Sequence, residues 1–212
     1  MRTTLLSLAL APAALAVNAQ AVLQDADIAS GTTTFDAHYA TDIGTSSLDA
    51  VGNNAHWTFA PTNPIEAPNA VILGPSSATP YAATYPTSNL AQSATLPTGT
   101  QYSYMRHTVD GLYLLADQVD PNGARAYTQP RTLLKFPLSL NGSFQDDYAY
   151  NGNTYSTTRT YNGFGSLTAF GSTYENVARI ETGSGNADFY TTNPIRPLLH
   201  YEQGGSPSCW CP

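Results

Sequence analysis

Apolar and polar positions alternate along much of this chain at the two-residue period of half-buried strands. In His56-Trp57-Thr58-Phe59 the two large rings fall on one face, and Pro61 ends the run. The stretches YSYMRHTV and LYLLADQV flank Asp110-Gly111 and predict a hairpin over residues 101–119 with a type I′ turn. From Phe144 to Glu181, short aromatic and threonine-rich runs are cut by Asn151-Gly152 and Asn162-Gly163. Each pair offers the two positive-φ residues that a two-residue hairpin turn needs. Beyond the apolar N-terminal run, no stretch of about 12 residues carries the i, i+3, i+4, i+7 pattern of an amphipathic helix.

Shorter segments extend the same pattern. Gly31 to Phe35, Val71-Ile72-Leu73, Leu133-Leu134-Lys135-Phe136, Asp188 to Thr191 and Ile195 to Glu202 read as strands, and Asp120-Pro121-Asn122-Gly123 has the signature of a type I turn. Between Pro61 and Pro97 prolines recur at 64, 68, 75, 80 and 86, which predicts a loop-dominated stretch anchored by Tyr81, Tyr85 and Leu90. The expected fold is all-β: one antiparallel β-sandwich, jelly-roll-like or meander, of about ten short strands over residues 20–203. The spacing of the turns favours a sandwich over a barrel.

Composition narrows the function. Charged residues are 11% of the 212, and Lys135 is the one lysine, so a basic surface for nucleic acid has almost no material. The formal charge of −7 becomes −8 if Arg2 leaves with a leader, since no acidic residue precedes Asp25. Arg2, the apolar run Leu5 to Val17 and the small residues of Val17-Asn18-Ala19 predict a signal peptide over 1–19, cleaved before Gln20. That run is too short for a spanning helix of about 20 residues, so no membrane insertion is expected. Cys209 and Cys211 fall in a segment, 204–212, expected to be a flexible tail.

Several segments resemble, in order, a known family. Asn53 to Phe59, Ala78 to Tyr81, Tyr85 to Leu90, Asp110 to Tyr113, Phe136-Pro137-Leu138, Gly163 to Leu167, Tyr174 to Arg179 and Pro197-Leu198-Leu199 are similar to the N-terminal β-domain of secreted Bacteroidota proteins that commonly carry a type IX secretion sorting domain. The resemblance spans the 20–203 region and implies an extracellular or cell-surface β-domain with no catalytic residues to carry over. No sorting domain follows Pro197-Leu198-Leu199, and the closing Gly204 to Pro212 resembles neither that domain nor a strand.

Candidate chemistry is sparse. His38, His56, His107 and His200 are dispersed, Cys209-x-Cys211 lacks a second ligand pair, and no nucleophile elbow or phosphate loop occurs, so no metal, cofactor or catalytic residue is assigned. Asp117, Asp120 and Asn122 lack the distal Glu of a calcium loop. Asp146, Asp147, Glu175 and Glu181 would serve glycoside hydrolysis only if two of them faced a common groove. Tyr155, Thr157, Arg159 and Tyr161 share one strand face, and Tyr155, Arg159 and Tyr161 are the candidate ligand-binding residues. The other use of those rings is cross-strand pairing with Tyr148, Tyr150 or Phe164.

The expected function is therefore that of a secreted or cell-surface β-module with a binding or accessory role toward an extracellular glycan or protein, the periplasm being the other destination. The competing readings are a jelly-roll-like carbohydrate-active hydrolase or lyase, and a structural spacer within a longer exported protein. Oligomeric state is left open.

Overall fold

The computed structural model of the chain describes residues 21–29, 31–40, 42, 44–96, 99–183, 185–201 and 208–211. The leader expected over 1–19 lies outside them. Thirteen strands follow in order: β1 Thr33–Ala40, β2 Gly52–Phe59, β3 Pro64–Pro75, β4 Leu90–Leu96, β5 Gly99–Thr108, β6 Gly111–Asp120, β7 Gly123–Lys135, β8 Ser143–Tyr150, β9 Asn153–Ala169, β10 Ser172–Thr182, β11 Asn186–Thr192, β12 Ile195–Tyr201 and β13 Ser208–Cys211. The helical elements among the described residues are three short 3₁₀ turns, Asp25–Asp27, Ser76–Ala78 and Ala82–Thr84.

The fold is all-β and antiparallel, as the alternation predicts, but the strands form one hydrogen-bonded sheet where a two-sheet sandwich was expected. Neighbours run β10, β11, β12, β13, β1, β3, β4, β5, β6, β7, β8, β9, and β9 pairs in turn with β10, so the hydrogen bonds return to their start. This circuit of twelve strands leaves no open edge among them, which removes the templates that unpaired strands offer. The thirteenth, β2, lies parallel to the second half of β9, from Gly52 opposite Gly163 to Phe59 opposite Ala169.

Two departures lengthen the strands. Asn162-Gly163 does not turn the chain; it lies inside the 17-residue β9, whose pairing with β10 continues on both sides of it. The turn falls instead at Phe170-Gly171, where both residues have positive φ, +49° and +80°. Asn151-Gly152 behaves as read: φ is +50° and +77°, and Tyr150 faces Asn153 across a two-residue loop. At the predicted hairpin of residues 101–119 the strands pair, but Thr108 faces Gly111, so the loop is Val109-Asp110 and neither residue has positive φ. Gly111 opens β6 because the chain comes close there: a β-carbon on it would lie 2.7 Å from the Leu134 carbonyl oxygen.

The proline-rich 61–97 stretch is not loop-dominated, since it contains β3 and β4. Pro64 and Pro75 take the two ends of β3, and Pro68 falls where its register with β1 slips, so the missing N–H groups cost no regular ladder bond. The tail expected over 204–212 is corrected over Ser208–Cys211, which pairs with β1 on one side and β12 on the other. Four residues suffice because each flanking strand presents a row of backbone donors and acceptors for them to meet.

Alternate residues go to opposite sides of the sheet. The interior holds Phe35, Val71, Leu73, Met105, Leu112, Leu134, Tyr161, Ala178, Ile180 and Tyr190, drawn from all around the circuit. Leu23 and Ile28 of the N-terminal segment join them, Leu23 in a backbone bridge to Leu138 and Ile28 to Ile195. The outer face of β9 to β12 is covered by Leu48 and by Trp57 and Phe59 of β2, the two rings read as one buried face; Trp57 meets Phe189 edge to face at 5.2 Å. The outer face of β4 to β6 is covered by the 3₁₀ turns: Tyr85 stacks on Tyr104 at 4.7 Å, and the buried Tyr104 hydroxyl is held by Thr79 Oγ1 at 2.7 Å and the Tyr81 N–H at 3.1 Å.

Candidate functional site

Inside the circuit lies a cavity of about 380 Å³, within the range of about 300–1,000 Å³ typical of small-molecule sites. Its walls change character along the strands. Toward the end that Leu23 and Ile28 close, they are Leu73, Leu90, Met105, Leu112, Leu114 and Ile195. Further along come Asp117, Arg125, Arg131, Arg159, Asp188 and His200, together with the half-buried Gln92, Ser103, Thr182 and Asn186.

Inward parity explains why charged residues occur there. Asp188 and Tyr190 alternate with the outward Ala187 and Phe189 on β11, and Arg159 precedes Tyr161 by two on β9. On β6 the register slips between Leu114 and Ala116, so Ala116 packs under the outer tyrosines and Asp117 turns inward.

The buried charges are joined in a line across β7, β8, β9, β11 and β12. Asp146, fully buried, accepts from the Thr132 N–H at 2.6 Å and from Arg159 Nε at 3.1 Å, with Arg131 Nε 3.5 Å away. Arg159 is 2% exposed and donates from Nη1 to Asp188 Oδ2 at 2.9 Å. The other Asp188 oxygen lies 2.6 Å from His200 Nδ1. A carboxylate only accepts, so Nδ1 carries the hydrogen. Beside this line Arg125 binds Asp117 with two parallel bonds of 2.6 Å, and the Tyr127 hydroxyl donates to the same carboxylate at 3.2 Å. The Arg131 guanidinium lies 4.6 Å over the Tyr148 ring.

These contacts set the charge states. Burial works to raise the Asp188 carboxyl, but the hydrogen bond from His200 and the charge of Arg159 outweigh it and hold the group below the ordinary carboxylate range. Burial likewise works to lower Arg159, and Asp188 with Asp146 more than compensates, so it stays cationic. The Tyr190 hydroxyl is pushed up by burial and by the nearby Asp188, and Tyr161 by burial. Both remain neutral donors.

The residues read as a ligand face do not form one. Tyr155 is exposed and stacks on Tyr148 at 5.0 Å with the rings 16° apart, the cross-strand pair named as its other use. Tyr161 is fully buried in the interior, its hydroxyl donating to the Ala21 carbonyl at 3.2 Å. Arg159 alone of the three lines the cavity. Their shared parity is real; the strand simply passes from the open end of the circuit into its core. Of the four carboxylates weighed for hydrolysis, Asp146 is inside, Asp147 bonds Ser156 outside at 2.6 Å, Glu175 is exposed, and Glu181 joins Arg179 and Asn162, so no two face a common groove.

Arg125, Arg131 and Asp188 were not singled out by sequence reasoning. The signal was present as a charged residue at the inward parity of a strand whose other inward residues are large and apolar, as in Asp188 before Tyr190. His107 turns inward against Phe136 at 6.2 Å, and Arg106 turns outward over Tyr113. Among the described residues no three His, Cys, Asp or Glu side chains are placed to hold a metal ion, and no helix is long and apolar enough to cross a membrane. Set against family models, curated proteins and solved structures, the chain matches none of them.

Proposed function

We propose that this chain is an exported binding module that takes a small amphipathic molecule into the interior of its strand circuit. The observation that carries the proposal is the cavity's polarity gradient, apolar at the plugged end and charged and polar toward the other. Such a gradient orients a molecule with an apolar body and a polar end, because burying the body releases ordered water while the polar end keeps its hydrogen bonds. The apolar leader and the low share of charged residues support export. The three carboxylates inside are engaged by arginine, a peptide N–H or histidine, which suits fixed electrostatics better than proton transfer.

The test is titration of the purified protein with an environment-sensitive amphipathic fluorophore, beside a Ser103→Trp variant that fills the mouth. One-to-one saturable binding that is lost in a variant with unchanged near-UV circular dichroism supports the proposal. Equal affinity in the folded variant would sink it.

One observation favours a second site, for a saccharide. A cleft of about 270 Å³ on the outside is lined by Tyr81 and Tyr102, rings 5.6 Å apart, with Gln101, Asp120 and Asn122 beside them. Rings for the apolar face of a sugar and amides for its hydroxyls are a fitting combination. A glycan array read with wild type and Tyr102→Ala decides it: binding that survives the substitution rules out the cleft.

A further inference from the structure

We infer that the polar end of the cavity's ligand is a carboxylate or another small monoanion, received by Arg131. This rests on the binding reading above and specifies its chemistry.

The cavity walls are cationic in an acidic protein. Arg125, Arg131 and Arg159, three of the chain's eight Lys and Arg residues, line it against Asp117 and Asp188, although the chain as a whole is at −7. Asp146, the third buried carboxylate, stands behind the wall rather than on it.

The carboxylates are engaged, and of the three arginines Arg131 is the one without a close carboxylate bond. Asp117 takes both arms of Arg125; Asp146 takes a peptide N–H and Arg159; Asp188 takes Arg159 and His200. The Nε of Arg131, by contrast, is buried without a protein hydrogen-bond partner among the described residues. Three other nitrogens share that condition, on Arg106, His107 and Arg196, but none of those residues lines the cavity. A buried donor left unpaired is costly, and the great majority in folded proteins have partners. Asp146 at 3.5 Å from that Nε supplies charge without a good bond.

The place of Arg131 on the wall fits the assignment. Its neighbour across the sheet is Leu114, on the apolar wall, and Leu133 follows two residues on. The side chain therefore stands where the apolar region meets the charged one. Tyr148 braces the guanidinium plane from one face, Nε lies toward Asp146, and the side chain is 26% exposed. A planar fork held in that way matches a carboxylate bidentately, while an alcohol or amide head would satisfy it less well. The ligand class is an aliphatic or aromatic monocarboxylate small enough for about 380 Å³.

The experiment is displacement of the amphipathic fluorophore by a medium-chain carboxylic acid, the primary alcohol of the same chain and the acid's methyl ester, all on the full chain. Wild type is expected to prefer the acid by roughly ten- to a hundredfold. Arg131→Met should bring acid and alcohol to similar affinity, and Arg106→Met, outside the cavity, should leave the preference standing. Alcohol and ester competing as well as the acid on wild type would overturn the anion while leaving the cavity reading intact. Failure of fluorophore and all three competitors would overturn the cavity reading itself. A preference kept by folded Arg131→Met, or lost in Arg106→Met alone, would overturn the assignment to Arg131. The wild-type acid-to-ester ratio tests the anion even if Arg131→Met does not fold.

Discussion

Trp57 lies where Gly163 would carry a side chain: a β-carbon on that glycine would sit 2.6 Å from the indole Cζ2. The indole is 1% exposed and its Nε1 donates to the Ala50 carbonyl at 2.8 Å, so it is fixed at both ends. Gly163→Ala should therefore force repacking of the outer core and cost about 1–3 kcal/mol. Gly152, in the other Asn-Gly pair, has open space around it and only its φ of +77° to defend, so Gly152→Ala should cost nearer 1 kcal/mol. Urea midpoints of the two variants check this, and equal losses would contradict it.

Arg159 links Asp146 to Asp188 with almost no access to water. Replacing it with Met leaves two buried carboxylates short of a partner, and a loss of about 3–5 kcal/mol is expected. Converting both aspartates to Asn in the same chain should recover part of it, because the uncompensated charges go too. Denaturant unfolding of the single and triple variants measures the recovery.

Stability should fall at both ends of the pH scale for separate reasons. Asp188 is depressed in the folded state, so the unfolded chain takes up its proton first; its contribution is complete above the unfolded value of about 3.9 and is lost as pH falls through the folded one. Tyr161 and Tyr190 are raised, so theirs is complete below the unfolded value of about 10 and is lost as pH rises beyond it. Urea midpoints between pH 2 and 6 should vary less steeply in Asp188→Asn than in wild type. Absorbance at 295 nm on an alkaline ramp should show a group of tyrosines ionising only with unfolding.

The Tyr104 hydroxyl ties down the outer 3₁₀ layer through Thr79 and the Tyr81 N–H. Tyr104→Phe should cost about 1–2 kcal/mol by leaving the Tyr81 N–H unpaired, while Thr79 Oγ1 keeps its bond to the Ser76 carbonyl. Hydrogen exchange should speed up within 76–88 while β8 to β12 are unchanged; uniform acceleration would argue against a local tie.

The class of the fold was legible because strand alternation is local. Trp57 and Phe59 share a buried face, and Asn151-Gly152 turns the chain, since each depends on only a few neighbouring residues. Asn162-Gly163 misled because the same dipeptide is also what a strand uses where an indole presses on it, and that indole comes from a strand more than 100 residues earlier. Closure of the sheet was hidden for the same reason: it needs Ser208–Cys211 to meet Thr33–Ala40, and no local pattern marks that pairing. Once the circuit exists, the Tyr155, Arg159 and Tyr161 face leads inward, and the candidate site moves from a surface to an interior.

The pairing of Asp36 with Cys211 also sets the order of events during synthesis. Strands β4 to β8 pair only with sequence neighbours, so they can form a growing ribbon as the chain emerges. The seam between β12 and β1 must wait for residues 208–211, and loop-closure entropy makes such a distant pairing slow to nucleate. A chain that stays ribbon-like until β13 arrives remains threadable up to that point.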